Sequence, residues 1–445
     1  MKKPYSTDQT TPIPWLAEVP KGWDDVKVKF LFGERVEKGY EKEPLLAATQ
    51  TLGVVPKELY ENRTVTAQKD FHLLKLVRVG DFVISLRSFQ GGIEYAYYQG
   101  IISPAYTIMK PNKKVCGDYF RYLFKSKHFV DDLATYVTGI REGQNIDYSK
   151  FRESYQPLPP HPEQIQIAAF LDHKCNLIDT AIQKKASLIE LLKEQKQAII
   201  NRAVTRGLNP NAPMKDSGIE WLGEIPAHWQ VKRLKYVSKI NPGRKPLNPE
   251  LLAVFLPMEK VGEDGVIQQG TKLPIKELAT GFTYFERNDI IVAKITPCFE
   301  NGKGAYLKNL ETEVGFGSTE FHVFRPWKRK IFPDFLNSIL VSEKFRSLGE
   351  YFMIGSAGQK RVPTSFISNY TIGLPPIPEQ QQIVDFIFQE SKTIDTTITR
   401  IEREIELIKE YKTALIAEAV TGKIDVRDWK PDSKTKNQVE HAANL

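Results

Sequence analysis

"LPPHPEQIQI", from Leu158 to Ile167, is answered by "LPPIPEQQQI", from Leu374 to Ile383. At that constant offset of 216 the match runs without a gap to Thr205 and Thr421, and 24 of the 48 paired residues are identical. Ile178-Asp179-Thr180 recurs as Ile394-Asp395-Thr396, and Ala203-Val204-Thr205 as Ala419-Val420-Thr421. A match of that density is an internal duplication. Each copy begins with a proline suited to the first helical position, Pro162 or Pro378, where a missing N–H costs nothing. Glu163 and Glu379 follow, at the positive end of the helix dipole.

What comes next is helical by period. Seam positions step alternately by four and three, through Ile178, Ile182, Lys185, Ile189, Leu192, Lys196 and Ile199. The second copy steps in the same way through Ile394, Ile398, Ile405, Ile408 and Leu415. A 3.5-residue apolar repeat sustained over several heptads predicts a coiled-coil seam. Each arm of about 45 residues would be roughly 65 Å long at 1.5 Å per residue. Arm one leads out of the first half and arm two begins where the second half ends, so pairing between them has to be antiparallel. The shared lysines Lys196 and Lys412 sit in register, and Lys185 interrupts the apolar line opposite Ile401 in the alignment. Its aliphatic stem is expected to snorkel outward.

The segments before the arms repeat more loosely. "WLAEVPKGW" (15–23) answers "WLGEIPAHW" (221–229), "ISPAYTIMKP" (102–111) answers "GSTEFHVFRP" (317–326), and "GQNIDYSKFRESY" (143–155) answers "GQKRVPTSFISNY" (358–370). Between these anchors the text diverges, which suggests one scaffold carrying two different working surfaces. "GDFVISL" and "NDIIVAKI" read as buried strands. "DYFRYLFKSKHFVDDL" and "PDFLNSILVSEKFRSL" read as helices, so each half is mixed α and β. Beyond Thr421 the text is polar and is expected to fray.

Bulk properties narrow the function class. The 445 residues carry a net charge of +8 with 26% charged residues, a balance that suits a polyanion partner without requiring one. No apolar run approaches a membrane span, and the lysines at the start lack the apolar stretch of a secretory signal. Cys116, Cys175 and Cys298 are far apart, which suits a reducing cytoplasm. No phosphate loop, zinc helix or nucleophile elbow appears, and the seven histidines are scattered. Neither a catalytic centre nor a metal site is expected.

"SGIEWLGEIPAHWQVKRLKYV" (217–237), "FGSTEFHVFRP" (316–326) and the twice-used LPP.PEQ before a long helix resemble the specificity subunits of type I restriction–modification systems (HsdS). The resemblance covers roughly Thr11 to Val426. It implies an α+β fold: two mixed α/β target-recognition domains joined by two long antiparallel coiled-coil helices, as a pseudo-two-fold repeat. The boundaries expected are 1–157 and 208–373 for the recognition domains, 158–207 and 374–424 for the arms, and 425–445 for a polar tail. The resemblance also implies a subunit without catalysis of its own that reads a bipartite, asymmetric site on double-stranded DNA. It would recruit two methylation subunits and, in the full complex, restriction subunits, in the cytoplasm and away from membranes. S-adenosylmethionine, Mg and ATP would belong to those partners, leaving this chain with no cofactor. The alternatives are a coiled-coil protein-interaction scaffold that reads no DNA, or the specificity chain of a related system that cuts near its site.

Base readers need donors that reach base edges, with cations for phosphate. In the first half "LRSFQGG" (86–92) follows a strand and offers Arg87, Ser88 and Gln90, with glycines permitting close backbone approach. "GIREGQN" (139–145) offers Arg141, Gln144 and Asn145. In the second half "KITPCFENGKG" (294–304) offers Lys294, Thr296, Asn301 and Lys303, and "GSAGQKR" (355–361) offers Gln359, Lys360 and Arg361. "RPWKRK" (325–330) and "VKRLKY" (231–236) are basic runs read as phosphate contacts or scaffold rather than base readers. The paired tryptophans, Trp15 with Trp221 and Trp23 with Trp229, either close the domain cores or hold partners.

Overall fold

The structure, a computed structural model, describes residues 4–5, 8–60, 70–86, 88–138, 145–356 and 358–431. It is an α+β protein whose chain divides into two compact units, residues 1–185 with 402–445, and residues 186–401. Each unit takes part of both long helices, His161–Arg206 (the first arm) and Ile377–Val420 (the second arm).

In the first unit a four-stranded antiparallel sheet has the order Phe32–Glu34, Thr107–Pro111, Phe82–Ile84, Glu94–Tyr95. Helices Gly117–Leu123 and Lys127–Leu133 bring Tyr119, Phe120, Leu123, Phe129 and Leu133 into the buried core. Phe32, Phe82, Phe120 and Phe124 meet there with ring centroids 5.2–5.6 Å apart, separations at which aromatic rings add to plain area burial. Strand Asp24–Lys27 pairs with Tyr155–Leu158 immediately before the first arm.

The second unit repeats this frame. Its sheet order is Ser238–Ile240, Phe321–Pro326, Ile290–Ala293, Gly304–Tyr306. Helices Pro333–Leu340 and Glu343–Tyr351 follow, and Gln230–Arg233 pairs with Thr371–Leu374. The divergent text makes the difference. In the second unit it forms another four-stranded sheet, Lys272–Pro274, Leu252–Leu256, Val314–Gly317, Thr283–Glu286, with one parallel pairing. In the first unit it gives two separate pairs, Leu46–Thr49 with Gly53–Pro56 and Lys75–Val77 with Gly100–Ile102.

The repeated phrase does more than start a helix. Trp23 Nε1 donates to Glu163 Oε1 at 3.0 Å, and Trp229 Nε1 donates to Glu379 Oε1 at 3.0 Å. Both tryptophans are buried, so each is part of a domain core. Gln164 is buried and accepts from Cys116 N (2.8 Å) while donating to the Pro159 and Lys114 carbonyls. Gln380 repeats every bond one offset later, with Phe332 N, Pro375 O and Lys330 O.

The arms pair antiparallel inside each unit. In the first, Lys412 bridges to Asp179 at 2.7 Å and Lys185 to Glu404 at 2.6 Å. In the second, Lys196 bridges to Asp395 at 2.7 Å. The recurring lysine therefore binds the recurring Ile-Asp-Thr aspartate of the opposite arm, once in each unit. Ile189, Ile394, Ile405 and Leu415 are buried, and Ile178, Ile182, Leu192, Ile199, Ile398 and Ile408 are half-buried. Lys185 sends its amine outward to Glu404, as a snorkelling stem does.

The segment after Thr421 does not fray at once. Ile424 and Val426 are buried in the first unit's core, and the Trp429 ring lies 5.3 Å from that of Phe170. Three apolar side chains among many polar ones are enough to dock it.

Candidate nucleic-acid interface

In the first unit, strand Phe82–Ile84 leads into the short helix Ser88–Gly91, beside the two-residue strand Asn145–Ile146. Two stretches singled out in the sequence, more than fifty residues apart, thus share one edge. Gln90 and Asn145 are exposed there. Arg87, Arg141 and Gln144 lie outside the described residues. Ser88 corrects an expectation: it is buried, and its Oγ accepts from Ser85 N at 2.8 Å, so the hydroxyl organises the turn instead of facing outward. Gly92 is required where it stands, since its φ is +82° and a Cβ would come within 2.0 Å of the Phe124 carbonyl oxygen.

Three residues at this edge escaped the sequence reading. Lys125 Nζ donates to Gly91 O (2.8 Å), to Gln50 O (3.2 Å) and to Glu94 Oε1 (2.6 Å). The amine clamps two turns of the edge and is itself held by a buried carboxylate. Burial pushes the Glu94 carboxyl up to about 7, against the opposing pull of Lys125. The Gln50 side chain lies against the Gly91 backbone. No local spacing marks these residues, because Glu94 and Lys125 are 31 apart in the chain.

In the second unit the stretches 294–304 and 355–361 also converge. Thr296 N donates to Lys360 O (3.0 Å), Lys360 N to Thr296 Oγ1 (3.0 Å), and Val362 N to Lys294 O (2.8 Å). Asn301, Gln359 and Lys360 are exposed, while Lys294, Thr296, Lys303 and Arg361 are half-buried. Two expectations need correction. The Thr296 hydroxyl braces the neighbouring loop. The Arg361 guanidinium is gripped by Glu320, with Nε 2.9 Å from Oε2 and Nη2 2.8 Å from Oε1. That pairing holds the Glu320 carboxyl below its ordinary range. Beneath it, His322 is buried with Nε2 2.8 Å from Val362 O, and burial pushes its pKa down, which favours the neutral ring. Among the described residues no cluster of His, Cys, Asp or Glu is arranged to hold a metal ion, and no helix is long and apolar enough to cross a membrane.

The two edges stand on one frame and are differently furnished, with Gln90 and Asn145 exposed in the first unit and Asn301, Gln359 and Lys360 in the second. Residues 226–407 match the family described as the type I restriction modification DNA specificity domain. Over 423 residues, 92% of this chain and 95% of the other, it is 26% identical to the type I restriction enzyme MjaVIII specificity subunit of Methanocaldococcus jannaschii. Residues 226–407 thus carry a match to the DNA specificity domain, and the chain along most of its length is similar to specificity subunits of type I restriction enzymes.

A stretch of 163 residues, 36% of the chain, is 41% identical to the EcoEI specificity subunit of Escherichia coli, but spans only 27% of that relative. A chain solved in a study of complex assembly and conformational transition of the type I R-M system superposes with a TM-score of 0.67 at 15% identity, covering 91% of this chain and 99% of that one. That likeness concerns the fold. Because Glu320 holds its guanidinium, Arg361 is expected to shape the edge and not to reach a base. Arg361→Ala and Glu320→Ala are each expected to weaken binding about tenfold, the low end of what a lost base contact costs. The double variant should be no worse than either single, because the two side chains act as one unit. Binding titrations on one duplex will check this, and additive losses would return Arg361 to direct base contact.

Proposed function

We propose that the chain is the DNA-sequence specificity subunit of a type I restriction–modification complex, reading a bipartite, asymmetric site with one recognition surface in each unit. The observation that carries this reading is the pairing of a repeated frame with unlike edges. Sheet order, buried glutamine and arm ion pair recur, while the edges carry Gln90 and Asn145 in one unit and Asn301, Gln359 and Lys360 in the other. A true dimer reads a palindrome because its halves are identical; unlike halves on one frame suit two unlike half-sites.

In this reading 1–157 and 208–373 are target-recognition domains. The arms 158–207 and 374–424 form an antiparallel coiled coil that relates them by a pseudo-two-fold axis and sets the unread spacer, and 425–445 is a tail. Two methylation subunits, recruited to like positions, supply S-adenosylmethionine chemistry, and restriction subunits join them with Mg and ATP. Leu191 and Leu407, exposed at matching positions of the two arms, fit a partner used twice. The chain itself performs no catalysis and works in the cytoplasm.

Mapping adenine methylation in cells with and without this chain, each carrying its methylation subunit, tests the proposal. The expected result is a split motif of two short parts at a fixed gap, lost with the chain. An unchanged methylation pattern would overturn it, as would methyl transfer by the purified chain alone.

A further inference from the structure

Two basic runs that the recognition edges leave unused meet in the second unit. Trp327 N donates to Val237 O at 2.9 Å, and Lys330 Nζ donates to Tyr236 O at 3.2 Å. These contacts join 231–236 to 325–330. His228, Lys232, Tyr236, Arg329 and Lys330 line one groove of about 740 Å³, floored by Leu374, Pro375 and Pro376. Arg233 and Lys235, on the same stretch, both donate to the neutral Asn369 side-chain oxygen. Tyr236 and Trp327 remain exposed at 53% and 39%, with the amines of Lys235 and Lys330 over their rings at 5.3 and 4.3 Å. Among the described residues no ion pair ties Lys232, Arg233, Lys235, Lys328, Arg329 or Lys330 to a carboxylate. The nearby Glu379 is engaged by Trp229 and His228.

The duplication supplies a built-in comparison. In the first unit the corresponding strand is Asp24-Asp25-Val26-Lys27 in place of Gln230-Val231-Lys232-Arg233. Glu153 stands where Asn369 does, and takes Lys27 at 3.1 Å and Lys29 at 2.8 Å. The frame is shared, and exposed Lys113 and Lys114 answer Arg329 and Lys330, but on the strand itself the uncompensated cations belong to the second unit alone. A partner bound once by each unit would meet like charge in both. A ligand met on one side only, and polyanionic, fits the asymmetry.

We propose that this groove holds the sugar–phosphate backbone of duplex DNA beyond the bases that are read. The inference rests on the DNA-recognition reading above and adds a contact to it. The strand Phe321–Pro326 carries the recognition edge at one end and the basic run at the other. Its six residues separate them by about 20 Å, about five or six base pairs of duplex. The groove therefore contributes affinity without sequence preference, as phosphate contacts do. The exposed rings lend their faces to the cations that line it.

The test uses the full chain and a duplex of random sequence, with affinity followed from 50 to 200 mM salt. Each phosphate neutralised contributes about −0.9 to the log–log slope. The variant Lys232→Gln/Arg329→Gln alters two exposed lining side chains and should lose about 1.8 of slope, so that wild type falls about 12-fold further over that salt range. The motif read in cells should not change. As a comparison, Lys294→Gln/Lys360→Gln removes cations at the recognition edge. A flattened slope there but an intact slope in the groove variant would overturn the groove while the reading of DNA stands. An intact DNA slope together with lost binding of the methylation subunit would overturn it in favour of an acidic protein surface. A wild-type chain whose duplex binding ignores salt would overturn both.

Discussion

Glu94→Ala and Lys125→Val are each expected to destabilise the first unit by about 3 kcal/mol, whereas the double variant should come within about 1 kcal/mol of wild type. The Glu94 side chain is 2% exposed and its ion pair with Lys125 is 2.6 Å long. One carboxylate oxygen, Oε2, has no hydrogen-bond partner. Removing either partner leaves the other without compensation in a poorly solvated site. Removing both leaves a packing problem that the second unit has already solved, because Ala305 and Val341 stand at the corresponding positions of the repeat. Lys125 is about 30% exposed, which places the single-variant cost at the lower end for broken buried pairs. Urea unfolding will read all three values, and a double variant as unstable as the sum of the singles would refute the account.

The same pair predicts a pH dependence. With its pKa raised from the ordinary 4.5 to about 7, Glu94 holds a proton more tightly folded than unfolded. Its contribution to stability is therefore complete below about 4.5 and is lost as pH rises through about 7, for a total of about 2 to 3 kcal/mol. The double variant should lack that slope. It should also read DNA less strictly, since Lys125 no longer ties Gly91 and Gln50, and the loss should fall on one part of the bipartite site alone. An ion pair retained where a neutral pair suffices makes sense as an edge-setting device rather than as a stabiliser.

How much of this was legible beforehand depended on the distance over which each signal acts. The arms were readable because a heptad is local and was written twice. The duplication also marked Lys196, Lys412 and the two aspartates, although their cross-arm pairing required the antiparallel register to be seen. Strands of three or four residues such as Phe82–Ile84 announced their burial but not their neighbours. Sheet order is set by contacts between stretches tens of residues apart. The recognition stretches could be chosen as loops after buried strands. Which side chains within them turn outward could not, because Ser88, Thr296 and Arg361 take partners that the edge itself creates. Arg361 meets Glu320 at a separation of 41 residues, and nothing in "GQKR" foretells it. The stretch just after Thr421 was misjudged for the opposite reason: composition averages over Val426 and Trp429, and packing does not; residues 432–445 lie outside the described residues.

Gln380→Leu is expected to cost about 3 kcal/mol, and Gln164→Leu about the same, despite the similar size of the side chains. Each glutamine is buried and spends its amide on one N–H and two carbonyls, at 2.7–3.4 Å for Gln380 and 2.8–3.0 Å for Gln164. Leucine fills the space but strands those backbone groups away from water, at about 1–3 kcal/mol for each one left unpaired. Hydrogen exchange should localise the damage: the Phe332 amide should lose protection in Gln380→Leu and the Cys116 amide in Gln164→Leu, each leaving the other unit's amide unchanged. If both amides opened in either variant, the two units would not be separately stabilised by these residues. The repeated phrase has a physical reason at nearly every letter. The proline opens the helix, the glutamate takes the tryptophan indole of the domain behind it, and the glutamine pins the residue that caps an earlier helix of that domain, Gly117–Leu123 or Pro333–Leu340. The two edges differ while the backbone bonds made by Gln164 and Gln380 are the same in both units, so the duplication keeps its joints and varies its edges.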